Sequence, residues 1–311
     1  MPCPIGINPL TWTNDDMPSL GGDTPLETCL TEAKEAGYDG VELGNKFPRQ
    51  AAKLGPIMAK HKLKIVSGWY SSRLLERDVD AEMAAMDDHL TLLKAMGSPV
   101  MVYAEVTGCV HGDKTASLDS RRRLTDTEMD LLASRMTEVG KRLRAKGMRL
   151  AYHHHMGTVI ETESEIDALM AKAGPEVELL LDTGHFTYAG GDPLKLARKY
   201  AKRVAHVHCK DIRAAVLAEA KRNKRSFLDS VLDGVFTVPG DGSVDYPPIF
   251  AELKRAGYAG WLVVEAEQDP AKALHHRRHR VHGVVRAGGR NGGAVRAEQR
   301  LLTASRVPRC N

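Results

Sequence analysis

The chain has 311 residues, 42% of them hydrophobic and 27% charged, with a formal net charge of +4. That balance describes a globular protein with a sizeable core and excludes disorder of the whole chain. No run approaches the ~20 apolar residues of a membrane span, and Met1-Pro2-Cys3-Pro4-Ile5 lacks a basic region followed by an apolar signal core, so a cytoplasmic protein is expected.

Short apolar runs alternate with longer amphipathic stretches along the chain, which is the signature of repeated βα units around a parallel sheet. The first strand is expected over 5–9. Thr24-Pro25-Leu26-Glu27 follows as helix punctuation: an N-cap, a proline at the first helical position and a capping-box glutamate. Further strands are expected over 40–43, 64–68, 99–104, 149–153, 178–181, 204–209 and 261–265. Gly37, Gly97, Gly147 and Gly257 fall where helices should stop before the next strand. Asp192-Pro193 repeats the cap-then-proline signal. One weak internal echo accompanies the rhythm: Ala36-Gly37-Tyr38-Asp39-Gly40 precedes Glu42, and Ala256-Gly257-Tyr258-Ala259-Gly260 precedes Glu265.

Eight strands point to a single (β/α)8 barrel rather than a doubly wound sheet, and no Gly-x-Gly-x-x-Gly follows the first strand. Two long insertions, 105–124 and 212–245, follow strand ends, where a barrel builds its active-site loops. The barrel is expected to fill 1–273, and 274–311 to be a basic tail. From His275 onward there are nine Arg, one Glu and no Lys, a net +8 that leaves −4 for the rest. A composition break of this kind fits a disordered end or a shifted reading frame. The mildly acidic body argues against nucleic acid as a partner. The five cysteines are odd in number and widely spaced, so reduced thiols are expected.

Polar residues at the ends of apolar strand runs point into the top mouth of a barrel. The fifth strand ends in Tyr152-His153-His154-His155, the sixth in Asp182-Thr183-Gly184-His185. The seventh carries His206-Val207-His208-Cys209-Lys210-Asp211, and the eighth ends in Glu265-Ala266-Glu267. Carboxylates and imidazoles converging from four neighbouring strands suit a divalent ion, and His153, Asp182, His208 and Glu265 are the expected ligands, with His154 as the alternative register to His153. A lone histidine is more often a hydrogen-bonded core residue. Four strands in succession reverse that weighting, because partnerless buried groups would cost several kcal/mol. Glu42, Trp69, Glu105, His155 and Arg213 are candidate substrate contacts, with Trp69 offering an apolar wall to a sugar-like ring.

These residues bring a family into view. The stretches Gly6-Ile7-Asn8-Pro9-Leu10-Thr11-Trp12, Gly40-Val41-Glu42-Leu43-Gly44, His153-His154-His155-Met156-Gly157-Thr158, Leu181-Asp182-Thr183-Gly184-His185 and His206-Val207-His208-Cys209-Lys210-Asp211 resemble the xylose-isomerase-like barrel superfamily, and within it the inosose dehydratases of myo-inositol catabolism. In the superfamily a metal is usually held by Glu, Asp, His and Glu; Asp182, His208 and Glu265 match three of these, and His153 stands where sugar isomerases have glutamate. The resemblance implies a hydro-lyase that dehydrates a small polyol ketone, 2-keto-myo-inositol (scyllo-inosose), with Mn²⁺ or Co²⁺ and an association with glutathione. Acid and base roles are open among Glu265, His185 and Lys210. A ketose isomerase or epimerase with the same ion is the competing reading. A homo-oligomer is compatible with either.

Overall fold

A strand covered on both faces reads as an unbroken apolar run, and the eight expected runs all become strands of this kind. The computed structural model describes residues 3–272, so the expected basic tail lies outside the described residues. In chain order the first half comprises β1 (Ile5–Ile7), α1 (Leu26–Glu35), β2 (Gly40–Leu43), α2 (Ala51–His61), β3 (Lys64–Ser72), α3 (Val79–Ala95), β4 (Val100–Glu105) and α4 (Asp126–Ala145). The barrel continues with β5 (Arg149–His153), α5 (Glu163–Lys172), β6 (Val177–Asp182), α6 (Thr183–Tyr188), α7 (Pro193–Tyr200) and β7 (Val204–Cys209). The insertion then contributes β8 (Asp211–Ile212), α8 (Ala214–Arg222), α9 (Phe227–Leu232) and β9 (Phe236–Thr237), before α10 (Tyr246–Arg255) and β10 (Leu262–Val264) complete the barrel. Strands β1 to β7 and β10 are parallel, and β10 closes the barrel between β7 and β1 with Ile5 opposite Leu262 and Ile7 opposite Val264. Among the described residues no helix is long and apolar enough to cross a membrane.

Alternation along each strand sorts side chains into two layers. On β6, Leu179 and Leu181 pack outward against the helices, whereas Leu180 joins Val102 and Ala151 in the barrel interior. Asp182 therefore continues the inward row. On β5, Leu150 and Tyr152 face out and Ala151 faces in. That register aims His153 at the mouth and sends His154 to the outer layer against Phe186, ring centroids 5.7 Å apart.

The punctuation is mixed in outcome. Gly37, Gly97, Gly147 and Gly257 all adopt positive φ at helix ends, as expected. Asp192 caps α7 by accepting from the Leu194 amide at 2.9 Å. Thr24 does not cap α1: the helix begins one residue later, Pro25 occupies the cap position, and no side chain closes it. Glu27 is drawn away by Lys60 at 2.7 Å and His61 at 3.0 Å on the neighbouring α2, so an interhelical contact replaces the capping box. True capping boxes occur at Thr125/Glu128 and Thr162/Glu165.

The 212–245 insertion is a folded unit rather than an open loop. Its core of Ile212, Phe227, Leu228, Val231 and Phe236 packs on Tyr188 beside the barrel mouth.

Candidate active site

Four ionisable side chains from β5, β6, β7 and the end of β10 meet above the barrel. His153 Nε2 lies 3.7 Å from Asp182 Oδ2. His208 Nδ1 lies 3.4 Å from the same oxygen and 2.7 Å from Glu265 Oε2. The local backbone fixes which atoms face inward. His153 Nδ1 sits 2.7 Å from the His154 carbonyl, so it carries the proton and leaves Nε2 with a lone pair toward the cluster. On the far side of His208, Nε2 is 3.1 Å from Glu42 Oε1, which leaves Nδ1 for the cluster. Asp182 Oδ1 accepts the His185 amide at 2.7 Å, while its Oδ2 is fully buried and without a hydrogen bond.

This donor set fits a divalent cation. A buried carboxylate oxygen with no donor costs energy unless a positive charge meets it. The remaining groups register the same excess of negative charge. Burial would depress the His208 imidazole, yet Glu265 and Glu42 outweigh it and hold the ring well above its usual range. Burial would raise Glu265, yet His208 and Lys210 pull its carboxyl down to about 2. His153, Asp182 and His208 each present a ligand atom within 4.8 Å of the others, as do Glu42, His206 and His208. The first group fits an ion better. Glu42 Oε1 is already satisfied by His206 at 2.8 Å and by the Ser67 hydroxyl, whereas Asp182 Oδ2 is not. Glu42 thus stands behind His208 on the side away from the cluster, an arrangement that fixes the ring and its tautomer.

Beside this cluster Lys210 is fully buried. Its Nζ lies 2.6 Å from Glu265 Oε1, 3.0 Å from Glu267 Oε2 and 2.8 Å from His185 Nε2. Burial alone would discharge the ammonium, but Glu265 and Glu267 overcome it and raise its pKa. The insertion roofs this network with aromatic rings. Phe236 lies 4.7 Å under the Lys210 ammonium, and Phe227 packs 4.8 Å from His155 and 5.6 Å from His185. Asn8 ties the two glutamates of the sequence echo together, donating to Glu42 at 2.6 Å and to Glu265 at 3.2 Å.

A cavity of about 270 Å³ opens on the cluster, lined by His153, His208 and Glu265 on one side and by Asp15, Asp16 and His111 among others on the rest. That size suits a small metabolite, being just below the ~300 Å³ lower bound for drug-sized pockets. Trp69 edges against His153 and His155 at 5.4 and 5.5 Å and forms part of the wall. His155 also lines it, and its Nδ1 is bound to the Met156 carbonyl at 2.8 Å, so Nε2 is the unprotonated nitrogen.

Two expected substrate contacts lie elsewhere. Glu105 is closed off by the Leu74 amide at 2.7 Å, the Thr107 amide at 2.9 Å and the Ser72 hydroxyl at 3.0 Å, and is not part of the cavity lining. Its carboxylate knits β4 to the loop after β3. Arg213 pins the insertion shut, donating to the Gly234 carbonyl, Thr237 and Asp241 at 2.7 to 2.8 Å, and lines a separate surface hollow of about 610 Å³. Glu42 lines the cavity from below His208 rather than from its rim. Asn14, Asp16 and His111 are absent from the residues the sequence singles out, and Glu267 appears there only as part of the strand-end Glu265-Ala266-Glu267. The Asn14-Asp15-Asp16 triplet in the connection between the first strand and first helix, and a histidine inside the 105–124 insertion, were the available signals.

A closed parallel barrel whose strand ends gather histidine and carboxylate at a polar cavity defines a class, and residues 30–282 match the model of the xylose isomerase-like TIM barrel family. The chain belongs to that family. The alignable relatives narrow it further. It is 51% identical over 269 residues to the rhizopine catabolism protein MocC of Rhizobium meliloti, covering 86% of this chain and 83% of the relative. It is 44% identical over 271 residues to the inosose dehydratase of Geobacillus thermodenitrificans, covering 86% and 91%. Among solved structures, an IOLI protein with a bound zinc atom superposes with a TM-score of 0.62 at 15% identity, over 92% of this chain and 98% of the other, a likeness of fold.

Proposed function

We propose that this chain dehydrates 2-keto-myo-inositol (scyllo-inosose) to 3D-3,5/4-trihydroxycyclohexane-1,2-dione. The observation that carries the reading is the 44% identity across 91% of an inosose dehydratase, over the segment that supplies the whole histidine-carboxylate cluster. A polar cavity of about 270 Å³ fits a hydroxylated six-membered ring.

On this reading His153, Asp182, His208 and Glu265 would hold Mn²⁺ or Co²⁺. A bound divalent ion supplies Lewis acidity that polarises a ketone and acidifies the neighbouring C–H. The three candidates for acid and base separate by environment. Glu265 is held ionised between His208 and Lys210 and serves as a ligand. Lys210 is a fixed cation committed to Glu265, Glu267 and His185 and serves as a supporting charge. His185 has its Nε2 engaged by the Lys210 ammonium and is a supporting group. The base is therefore assigned to His155, a residue of the cavity lining whose Nε2 is the unprotonated nitrogen.

Incubating the purified protein with inosose and Mn²⁺ tests the reading. Loss of one water by mass spectrometry with growth of a dione absorbance is expected. A product of unchanged mass would instead establish an isomerase or epimerase.

A further inference from the structure

Removing water across a C–C bond needs a proton taken at one carbon and a proton given to the departing oxygen. Resting on the dehydratase reading, the unassigned partner is the group that gives it. On the wall carrying the cluster the candidate donors are already engaged: His208 between Glu42 and Glu265, Glu267 by Lys210 and Asn14, and Lys210 among three acceptors. The opposite wall is built from the loop after β1 and the insertion after β4.

In that loop most polar groups are occupied. Asp15 accepts the Asn45 amide at 3.2 Å. Asn14 accepts the amides of Asp16 and Met17 at 2.9 and 2.8 Å, and donates to Glu267 at 3.2 Å, which fastens the loop to the Lys210 network. The Asp16 carboxyl, by contrast, lines the cavity with one long contact, 3.9 Å to His111 Nε2. His111 is braced by His155 and Trp69, ring centroids 5.4 and 6.4 Å away, and its buried Nδ1 has no hydrogen bond.

We propose that Asp16 is a catalytic residue, the acid that protonates the leaving hydroxyl, with His111 as the residue that positions it. The C–H bond beside the ketone breaks and its proton passes to His155 Nε2. The freed electron pair forms the C=C bond as the C–O bond to the β-hydroxyl breaks. The Asp16 proton joins that oxygen, which leaves as water, and the enol ketonises; no oxidant or reductant takes part. The 35% of the Asp16 side chain that still meets solvent is its route back to the protonated state.

The electrostatics agree with the placement. Burial, then Glu267 and Asp15, push the Asp16 carboxyl up to about 7, with Lys210 opposing them. The remaining exposure tempers that rise in the open cavity, and a ring that displaces the water restores it. Burial keeps His111 neutral, so no cation faces Asp16 from that side to ionise it.

The test separates the two half-reactions in D₂O with Mn²⁺ and inosose. Asp16→Asn should form dione at least ~100-fold more slowly than the wild type, the lower end of general-acid effects. It should still exchange the inosose proton for deuterium above the buffer rate, because abstraction no longer commits to elimination. An unchanged melting temperature accompanies this, since the carboxyl makes no close bond. Dione formation within ~3-fold of wild type, or joint loss of exchange and dehydration, overturns the assignment while the wild-type activity leaves the dehydratase reading standing. A wild-type protein that neither dehydrates nor exchanges inosose overturns both.

Discussion

The two walls of the cavity are made on different terms. One consists of His153, Asp182, His208 and Glu265, carried at or just past strand ends, almost fully buried and oriented by backbone and Glu42. The other consists of Asp15, Asp16, Asn45 and His111, carried on connections and partly open to water, with Asp15 and Asn45 bonded to each other and His111 held by ring packing. The difference is physical. A closed barrel sets side-chain direction within its strands by alternation and leaves little for a ligand to rearrange, whereas loops take position from whatever neighbours they can reach. Preorganised charge belongs on the first wall, and proton exchange with solvent on the second.

The sharpest way to break this comparison is Asp182→Asn. If the strand wall is the cation site, Mn²⁺ affinity should fall about 1,000-fold, or ~4 kcal/mol, by isothermal titration. Retention of wild-type affinity would remove the strand wall's claim to an ion.

A smaller loss is expected from Phe236→Ala, which takes a fully buried ring out of the roof over Lys210 and His185. Urea unfolding should show ~3 kcal/mol less stability, while Mn²⁺ affinity changes little. An unaltered unfolding midpoint would show that the insertion is not coupled to the barrel.

The mildest change is Glu42→Gln, which removes the charge behind His208 without touching the orphaned Asp182 oxygen. Mn²⁺ affinity should weaken by ~10–100-fold, as for carboxylates behind metal-bound histidines. A loss as large as that of Asp182→Asn would move the ion into the Glu42, His206 and His208 group.

Much was legible before any coordinates. The eight strands, the glycines that end the helices, and the meeting of Asp182, His208 and Glu265 follow from periodicity and from polar residues at the ends of apolar runs. The α1 cap and the roles of Glu105 and Arg213 were not, because in each case a neighbour distant in sequence claimed the group. Glu27 turned to Lys60 and His61, Glu105 to the Leu74 amide, and Arg213 to Gly234 and Asp241.

By itself, then, the amino-acid order determined the barrel and the row of histidine and carboxylate side chains at its strand ends, since both depend on period and hydrophobicity within short segments. Tertiary structure alone decided that His153 rather than His154 points inward, that Lys210 is caged by Glu265, Glu267 and His185, and that Asp16 comes to lie beside His111 in the cavity wall. Those outcomes depend on distances between segments far apart in the chain, which no local pattern encodes.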